Sequence, residues 1–274
     1  TKGRPRKALV PGTSNPGDIR ISVGGVGRNI AEGLARLGVR TTLLSAVGDD
    51  EWGQRILECT AAGGVDVSQV LIQAEHDSAA YLAILDEAGE KSISIDDMDI
   101  MGSVTPQYIY AHRRLIKEAD MVVMDANLSP KAMRSLISTA QKYDVPVCAD
   151  PTSAILAQRL IGHLPDLYMI TPDESEAKAL CEARLTSRSE AIKTAKRLVA
   201  MGVDIAIITL AEKGLCYATH EVGGYIPAIR SEVVDRTGAG DALTAGVVFG
   251  LLNDFPIDEA VRLGVSAATL TLQC

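Results

Sequence analysis

Short apolar runs alternate with longer stretches of helical periodicity from about residue 40 onwards. The runs predicted to be buried strands are residues 41–47, 121–125, 145–150, 167–170 and 205–210. Helices are predicted at residues 30–37, 53–62 and 189–201, each followed by a glycine where positive φ is favoured, at Gly38, Gly63 and Gly202. The alternation predicts an α/β fold with a doubly wound, mostly parallel sheet flanked by helices.

Two segments follow a different pattern. Residues 18–23 alternate polar and apolar side chains, and residues 79–85 and 91–95 flank the turn Asp86-Glu87-Ala88-Gly89. We expect them to form a small β lid, at about residues 14–24 and 78–100, outside the main sheet. Because no Pro-rich or Ser-rich linker and no internal repeat interrupts the chain, residues 1–274 are predicted to form a single domain.

Composition narrows the class of partner. The chain has 274 residues, 47% of them hydrophobic, and a net charge of −8, which disfavours a nucleic-acid partner and favours a small-molecule ligand. Its five cysteines are scattered, which indicates reduced thiols in a cytoplasmic protein. The longest apolar run, residues 242–252, is too short for a membrane helix, so no membrane partner is expected. The basic residues 2–7 are predicted to be a solvated end.

The most informative motif is Asp235-Arg236-Thr237-Gly238-Ala239-Gly240-Asp241, which precedes the predicted helix at residues 242–252. Backbone N–H groups at Gly238, Ala239 and Gly240, together with the helix dipole, favour a bound anion. A carboxylate is not an anion ligand, so Asp241 is predicted to accept a proton from an attacking hydroxyl during transfer of the γ-phosphoryl group of ATP. The alternative is that Asp241 only caps a glycine-rich helix start.

Two other phosphate-binding motifs are excluded. The sequence contains no Gly-Lys pair, so it has no Walker A loop. Leu243 and Ile30 occupy the third glycine position of the two candidate dinucleotide fingerprints, which argues against an NAD-dependent oxidoreductase.

The string ending at Asp241 resembles the C-terminal signature of the phosphofructokinase B (ribokinase-like) family of carbohydrate kinases. Gly24-Gly25-Val26-Gly27-Arg28-Asn29 is similar to the N-terminal signature of that family. The resemblance implies a ribokinase-like fold, use of ATP and Mg²⁺, and sugar hydroxyls held by Gly24, Gly25 and Asn29. Taken alone, a Gly-Gly pair before a helix is also compatible with a structural role.

A third element, Thr171-Pro172-Asp173-Glu174-Ser175-Glu176, resembles the Asn-x-x-Glu element of the family, with Asp173 in place of the usual Asn. The resemblance implies that Glu176 acts through water on a Mg²⁺ ion and that Asp173 lies near the nucleotide phosphates. The dipole of an acidic helix start explains the same residues without a metal.

Residues 207–214 resemble the strand and turn that approach the nucleotide in this family. The resemblance implies that Thr209 and Gly214, together with Thr237 of the glycine-rich motif, are nucleotide neighbours. Packing at the sheet edge is the alternative for Thr209 and Gly214. Ala211 stands where glycine is common, so an altered turn is expected.

Within the family, residues 14–19, 24–29, 44–48 and 95–100 most resemble the members that act on pseudouridine. This resemblance implies transfer of phosphate to the 5′-hydroxyl of that nucleoside, with the lid closing over it. Asn15, Asp97 and Asn127 are predicted to contact the base or ribose, because a buried uracil-like ring needs matched donors and acceptors. The alternatives are an ordinary turn for Asn15 and a solvated acidic loop for Asp97.

Two other functions stay open: a kinase for a different sugar or nucleoside, and a nucleoside-binding protein without catalysis. Members of the family normally begin with an apolar strand, and nothing before Pro11 matches it, so this strand and a C-terminal helix are expected to be missing. An exposed β lid is also compatible with a homodimer formed through the lids of two subunits.

Overall fold

The structure, a computed structural model, describes residues 1–273 except for residues 88, 90 and 184. The strands are β1 (Lys2–Pro5), β2 (Gly17–Arg20), β3 (Ala46–Gly48), β4 (Leu71–Gln73), β5 (Ala80–Leu85), β6 (Lys91–Asp97), β7 (Val122–Asp125), β8 (Val147–Asp150), β9 (Met169–Ile170), β10 (Ile205–Thr209), β11 (Leu215–Ala218) and β12 (Gly223–Ile226). The α-helices are α1 (Val26–Arg36), α2 (Glu51–Ala62), α3 (Pro106–Ala111), α4 (Arg113–Glu118), α5 (Pro130–Lys142), α6 (Ala154–Ala157), α7 (Glu174–Cys181), α8 (Arg188–Ala200), α9 (Ala239–Leu252) and α10 (Ile257–Thr271). Short 3₁₀ helices lie at Asp99–Ser103, Gln158–Asp166 and Ala211–Lys213.

A six-stranded sheet in the order β12-β11-β10-β9-β8-β7 forms the centre of the molecule. The strands β7 to β10 are parallel, and β11 and β12 extend the sheet as an antiparallel hairpin. Successive residues of β8 point to opposite faces: Val147 and Ala149 join one apolar cluster and Cys148 joins the other. Burial on both faces explains why these strands are short and uniformly apolar, and it confirms the predicted α/β class.

Helices cover both faces of this sheet. The cluster on one face includes apolar side chains of α3, α5, α7 and α8, and the cluster on the other face includes those of α1, α9 and α10. Helix α1 buries Ile30, Ala31 and Leu34, which recur at helical spacing. Helix α9 is apolar around most of its circumference because it is packed between α1, α10 and the sheet.

The prediction of a core strand at residues 41–47 is wrong in both its extent and its position. Only Ala46–Gly48 forms a strand, and it pairs with β4 in a separate two-stranded sheet. Gly38 and Gly202 adopt the expected positive φ, at 88° and 116°. Gly63 does not, with φ at −73°, because the following glycine, Gly64, takes the left-handed conformation at 92°.

The lid is a four-stranded sheet in the order β2-β1-β5-β6. Of the first predicted segment, residues 18–23, only residues 18–20 are in a strand, whereas both strands of the second segment are present. Ala88 in the predicted turn lies outside the described residues. The prediction that residues 2–7 are a solvated end is wrong, because Lys2–Pro5 forms β1 between β2 and β5. The sequence pattern did not reveal this strand, since its charged residues resemble a solvated tail.

The two faces of the lid differ in polarity. Register pairs Gly3 with Ile19 and with Ile84, and Ile84 with Ile93, so these side chains share one face. On that face Ile19 is 74% exposed and Ile93 57% exposed. Charged side chains of the opposite face line the cleft between lid and central sheet, namely Lys2, Arg4, Asp18, Arg20 and Asp96.

Four cysteines, Cys59, Cys148, Cys181 and Cys216, are unpaired, and Cys274 lies outside the described residues. In the part of the chain that the structure describes, no helix has the length and apolar character needed to cross a bilayer.

Candidate active site

The carboxyl ends of β7 and β8 bring two carboxylates together, because Asp125 and Asp150 are paired in register as the last residues of adjacent parallel strands. One oxygen of Asp125, Oδ1, accepts the backbone N–H of Asn127 (2.9 Å), and Oδ2 accepts that of Gly27 (3.0 Å). Asp125 therefore fixes the first turn of α1 against the end of β7.

Asp150 is buried with few stabilising partners. Its Oδ1 accepts the backbone N–H of Thr152 (2.8 Å), a residue held at φ 66°. Burial raises the pKa of Asp150 well above its usual range, and repulsion from Asp241 and Glu176 adds to the effect. A buried carboxyl with a strongly raised pKa and like charges nearby is a candidate functional group.

The glycine-rich motif forms the start of α9. Gly238 caps the helix with φ 78°, a left-handed conformation that suits glycine, and Ala239 begins the first turn. The first N–H groups of a helix have no partner within the helix, so this turn presents donors and the positive end of the dipole. Asp241 lies in the same turn.

Asn29 holds the side chain of Asp241. Its Nδ2 group donates to Oδ2 of Asp241 over 2.7 Å, which joins the first turn of α1 to the first turn of α9. Burial raises the pKa of Asp241 to about 6, and repulsion from Asp125 acts in the same direction, whereas the bond from Asn29 opposes it. At neutral pH the carboxylate is therefore mostly ionised and can accept a proton.

Asp173 and Glu176 form a capping box at the start of α7. Oδ1 of Asp173 accepts the backbone N–H of Glu176, and Oε2 of Glu176 accepts that of Asp173, both over 2.8 Å. The helix-start explanation of these residues therefore has a structural basis, and their roles at a metal or nucleotide stay predictions. Burial and the neighbouring Asp173 raise the pKa of Glu176 to about 7, although its bond from the Asp173 N–H opposes them.

Four carboxylates thus repel one another at this edge of the sheet: Asp125, Asp150, Glu176 and Asp241. None of them belongs to an ion pair among the described residues. A divalent cation nearby would stabilise the ionised forms of Asp150, Glu176 and Asp241, whose pKa values are raised. Within the described part of the chain, no three acidic, His or Cys side chains could hold a metal by themselves. The residues therefore fit an ion bound mainly by phosphate and water, as Mg²⁺ prefers.

The lid reaches the glycine-rich motif through Lys2. Its Nζ atom lies 2.6 Å from Oδ1 of Asp235 and also donates to the hydroxyl of Thr237. The same Asp235 oxygen accepts the backbone N–H of Thr237 over 2.8 Å. Lys2 therefore connects the cleft face of the lid directly to the turn that precedes Gly238.

The other predicted site residues are placed as follows. Gly24, Gly25, Asp97 and Asn127 line the cleft with Asn29 and Asp241. Asn15 is not among the cleft residues, and its side-chain amide bonds Val10 and Thr13 in its own loop. Its predicted contact with a nucleoside stays a prediction.

Of the residues predicted to lie near the nucleotide, Thr209 lies next to the capping box. A parallel bridge joins Thr209 to Asp173. Gly214 adopts φ 96°, and a Cβ there would lie 2.2 Å from the carbonyl oxygen of Ile226, so the tight turn itself requires glycine. Ala211 has φ 50°, in the left-handed region that favours glycine, and the expected alteration of the turn stays a prediction. The contacts of Thr209, Gly214 and Thr237 with a nucleotide stay predictions.

Asp125, Asp150 and Lys2 were not predicted to be site residues. A signal existed for two of them, since Asp125 and Asp150 end predicted parallel strands and ligands bind at the carboxyl ends of such strands. Lys2 carried no such signal.

Comparison with known proteins identifies a family. Residues 4–274 match the pfkB family of carbohydrate kinases. The chain is 34% identical over 273 residues to the pseudouridine kinase of Escherichia coli K12, covering 99% of this chain and 87% of that protein. It is 28% identical to the guanosine-inosine kinase of Exiguobacterium acetylicum, covering 97% of this chain and 89% of the relative. The ribokinase of Arabidopsis thaliana, solved with ribose and ATP, superposes with a TM-score of 0.86 at 20% identity, covering 100% of this chain and 89% of that structure.

Proposed function

Because the chain belongs to the pfkB family of carbohydrate kinases, we propose that it transfers the γ-phosphoryl group of ATP to the 5′-hydroxyl of pseudouridine. The chain is a sugar or nucleoside kinase. The choice of pseudouridine as acceptor and of ATP as phosphoryl donor is the proposal. One observation carries the proposal: Asp241, with its carboxylate held by Asn29, lies in the same helical turn as the unpaired N–H groups of the Gly238-Ala239-Gly240 motif.

In the proposed reaction, Asp241 accepts the proton of the attacking hydroxyl. The hydroxyl oxygen forms a bond to the γ-phosphorus while the bond to the bridging oxygen breaks and ADP leaves with that electron pair. The N–H groups at the start of α9 stabilise the negative charge on the transferred group, and one such donor contributes about 3 kcal/mol in comparable sites. A positioned general base contributes about 10²–10⁴-fold in rate.

Mg²⁺ would neutralise charge on the phosphates of ATP, and Glu176 would hold it through water. Asp173 orients Glu176 through the capping box, and the cost of burying the Glu176 carboxylate, which shows as a pKa of about 7, would fall beside a cation. Lys2, on the lid, keeps the turn of Asp235 and Thr237 in place over the same region.

Pseudouridine is favoured over other substrates by the 34% identity to a pseudouridine kinase across 99% of this chain. Asp97 and Asn127 line the cleft and supply the polar groups that a buried base or ribose requires. The guanosine-inosine kinase, at 28% identity, supports phosphorylation of a different nucleoside as the second candidate. The ordered contact between Asn29 and Asp241 argues against a nucleoside-binding protein without catalysis.

We also propose a homodimer formed through the lids. The exposed face of the lid is apolar, with Ile19, Ile93 and Ile95 exposed at 74%, 57% and 65%, while charged side chains of the other face line the cleft. A solvated antiparallel sheet normally shows the reverse arrangement, with its polar side toward water. A second copy of the same lid would cover this face with matching chemistry.

The test is ADP production by the full-length protein with pseudouridine, uridine, guanosine, inosine, ribose and fructose offered in parallel. Asp241→Asn removes the base, and Asp258→Asn, an exposed position in the first turn of α10, is the matched control. We expect turnover with pseudouridine that falls by about 10²-fold or more in Asp241→Asn and is unchanged in Asp258→Asn.

Each outcome discriminates between the candidates. Turnover with guanosine or inosine alone, or with a sugar alone, would keep the kinase and reject pseudouridine. No turnover with any acceptor, combined with nucleoside binding by calorimetry, would overturn the kinase proposal in favour of a binding protein. Equal turnover by wild type and Asp241→Asn would reject the assigned base.

A further inference from the structure

A buried arginine next to the site has no part in the reaction described above. Arg28, in the first turn of α1, has a side chain only 12% exposed, and its Nη1 atom lies 2.5 Å from Oε2 of Glu32, which is 15% exposed. Its Nε group donates to the hydroxyl oxygen of Thr60 on α2 over 3.0 Å. Two helices therefore fix the guanidinium in one place.

The same guanidinium contacts the residue that holds Asp241. Nη1 of Arg28 donates to Oδ1 of Asn29 over 3.1 Å, and Nδ2 of Asn29 donates to Oδ2 of Asp241 over 2.7 Å. The side-chain amide of Asn29 is thus bonded at both of its ends.

The chemistry of the partners decides which way this amide faces. A guanidinium has five N–H donors and no acceptor, so only the amide oxygen can face Arg28. An ionised carboxylate is an acceptor only, so the amide nitrogen must face Asp241. A reversed amide would place Oδ1 against the Asp241 carboxylate and Nδ2 against the guanidinium, and neither pair could form a hydrogen bond.

We propose that Arg28 is a positioning residue, which orients the Asn29 amide so that its N–H group, and not its oxygen, faces Asp241. This inference rests on the proposed role of Asp241 as the base. Without Arg28, no donor at the Oδ1 end favours one orientation of the Asn29 amide over the other. Asp241 then loses a hydrogen-bond donor that is always in place.

The anchoring of Arg28 makes the role specific to this side chain. Thr60 is fully buried, and its own hydroxyl donates to the carbonyl oxygen of Ile56, so it presents a lone pair to Arg28. Glu32 also pairs with Arg36, over 2.5 Å, and therefore keeps a cationic partner if Arg28 is removed. Replacement of Arg28 by an apolar residue thus does not leave the buried Glu32 carboxylate unpaired.

Other charges face Asp241 and must be kept constant in a test. Asp125, at the end of β7, repels the ionised form of Asp241. Ionised Asp241 in turn helps to raise the pKa of Asp150, at the end of β8, and of Glu176, on α7. Asp235, paired with Lys2, precedes Asp241 on the same motif. None of these groups changes in the variants chosen below.

The experiment measures the titration of Asp241 by carboxylate ¹³C NMR in protein labelled at aspartate, with the resonance assigned by its loss in Asp241→Asn. The variants are Arg28→Met, Asn29→Leu, the double variant, and Arg36→Met as the control on the same helix and the same glutamate. We expect the midpoint to rise by about one pH unit in Arg28→Met and in Asn29→Leu, with no further rise in the double variant and none in Arg36→Met.

A rise in the double variant that equals the sum of the single rises would overturn the inference, because Arg28 would then act through its charge alone. An unchanged midpoint in folded Arg28→Met would overturn it as well. If Arg28→Met does not fold, Thr60→Val loosens the guanidinium at similar volume and should give a smaller shift in the same direction, and no shift would count against the proposal.

The readout does not depend on turnover, so the two proposals fail separately. Absence of kinase activity in the wild-type protein would overturn the proposed function, whereas the titration of Asp241 alone decides the role of Arg28. Where activity is present, we expect kcat at pH 6 to fall about five-fold more in Arg28→Met than kcat at pH 8, since the ionised fraction of the base changes only at the lower pH.

Discussion

At the scale of single residues, Asp241 meets two opposing requirements. A base is stronger when its pKa is high, but it must still be ionised at the working pH. Burial raises its pKa to about 6 and the bond from Asn29 keeps it from rising further. The balance is set by Asn29 on α1 and Asp125 at the end of β7, which are distant from Asp241 in sequence, and by burial.

The first prediction concerns pH. Because protonated Asp241 cannot accept a proton, kcat/KM should fall as pH decreases through about 6, approaching a ten-fold loss for each further unit. Initial rates from pH 5 to pH 8.5, with circular dichroism to verify folding at each pH, measure this. A flat profile down to pH 5 would show that the group titrating near 6 is not required.

The second prediction concerns stability. The pKa of Asp150 is higher in the folded protein than in the unfolded chain, so the folded state binds more protons and loses stability as pH rises above the ordinary aspartate range. Asp150→Asn keeps an oxygen for the Thr152 N–H and removes the charge. We expect its free energy of unfolding at pH 8 to exceed that of wild type by more than about 1 kcal/mol, since one pKa unit corresponds to about 1.4 kcal/mol.

Urea unfolding at pH 8 and at pH 4.5 measures this gain, which should shrink at the lower pH because wild-type Asp150 is then protonated. Asp120→Asn, at an exposed position, serves as the control and should change neither value. A gain of equal size at both pH values would point to packing and not to charge.

At the scale of elements, the position of α9 depends on close contact with α10. A Cβ added at Gly246 would lie 2.9 Å from the Cα of Gly264 and 3.0 Å from the carbonyl oxygen of Leu263. These are backbone atoms, so the two helices can approach this closely only without a side chain at that position. The contact fixes the direction in which α9 presents its first turn to the site.

The third prediction follows from this contact. Gly246→Ala should lower the free energy of unfolding by about 1–3 kcal/mol, because overpacking against backbone outweighs the better helix propensity of alanine. Gly162→Ala is the control, since a Cβ there meets nothing within 4 Å. Chemical denaturation compares the two variants, and equal stabilities would show that α9 and α10 separate at little cost.

At the scale of the whole molecule, the lid exposes apolar side chains to solvent and lines the cleft with charged ones. A single copy leaves Ile93 and Ile95 in water on β6, where a pair of copies would bury them. The proposed dimer therefore accounts for the apolar outer face of the lid, which the charged face beside the cleft does not explain.

The fourth prediction tests this dimer. Ile93→Lys places a charge on the exposed face and should convert dimers to monomers in sedimentation velocity experiments. Ile72→Lys, at a position 59% exposed on β4 and outside the lid, should leave the oligomeric state unchanged. A wild-type protein that sediments as a monomer across the micromolar range would reject the lid interface.

The sequence by itself determined the features that local pattern encodes. Apolar runs predicted β7, β8, β9 and β10, because strands buried on both faces must be apolar along their length. The Asp235–Asp241 string indicated the glycine-rich start of α9 and the proposed base in its first turn. These properties depend on neighbours within a few residues, so they can be recognised without a fold.

Only the tertiary structure decided which distant residues meet. Asp125 and Asp150 became neighbours through strand register, Asn29 met Asp241 across 212 positions of sequence, and Lys2 joined the site from a segment that resembled a solvated tail. The stretch at 41–47 was predicted to be a core strand, yet only Ala46–Gly48 formed a strand, outside the central sheet. Burial and charge at the site arise from such long-range contacts, which a local sequence pattern does not encode.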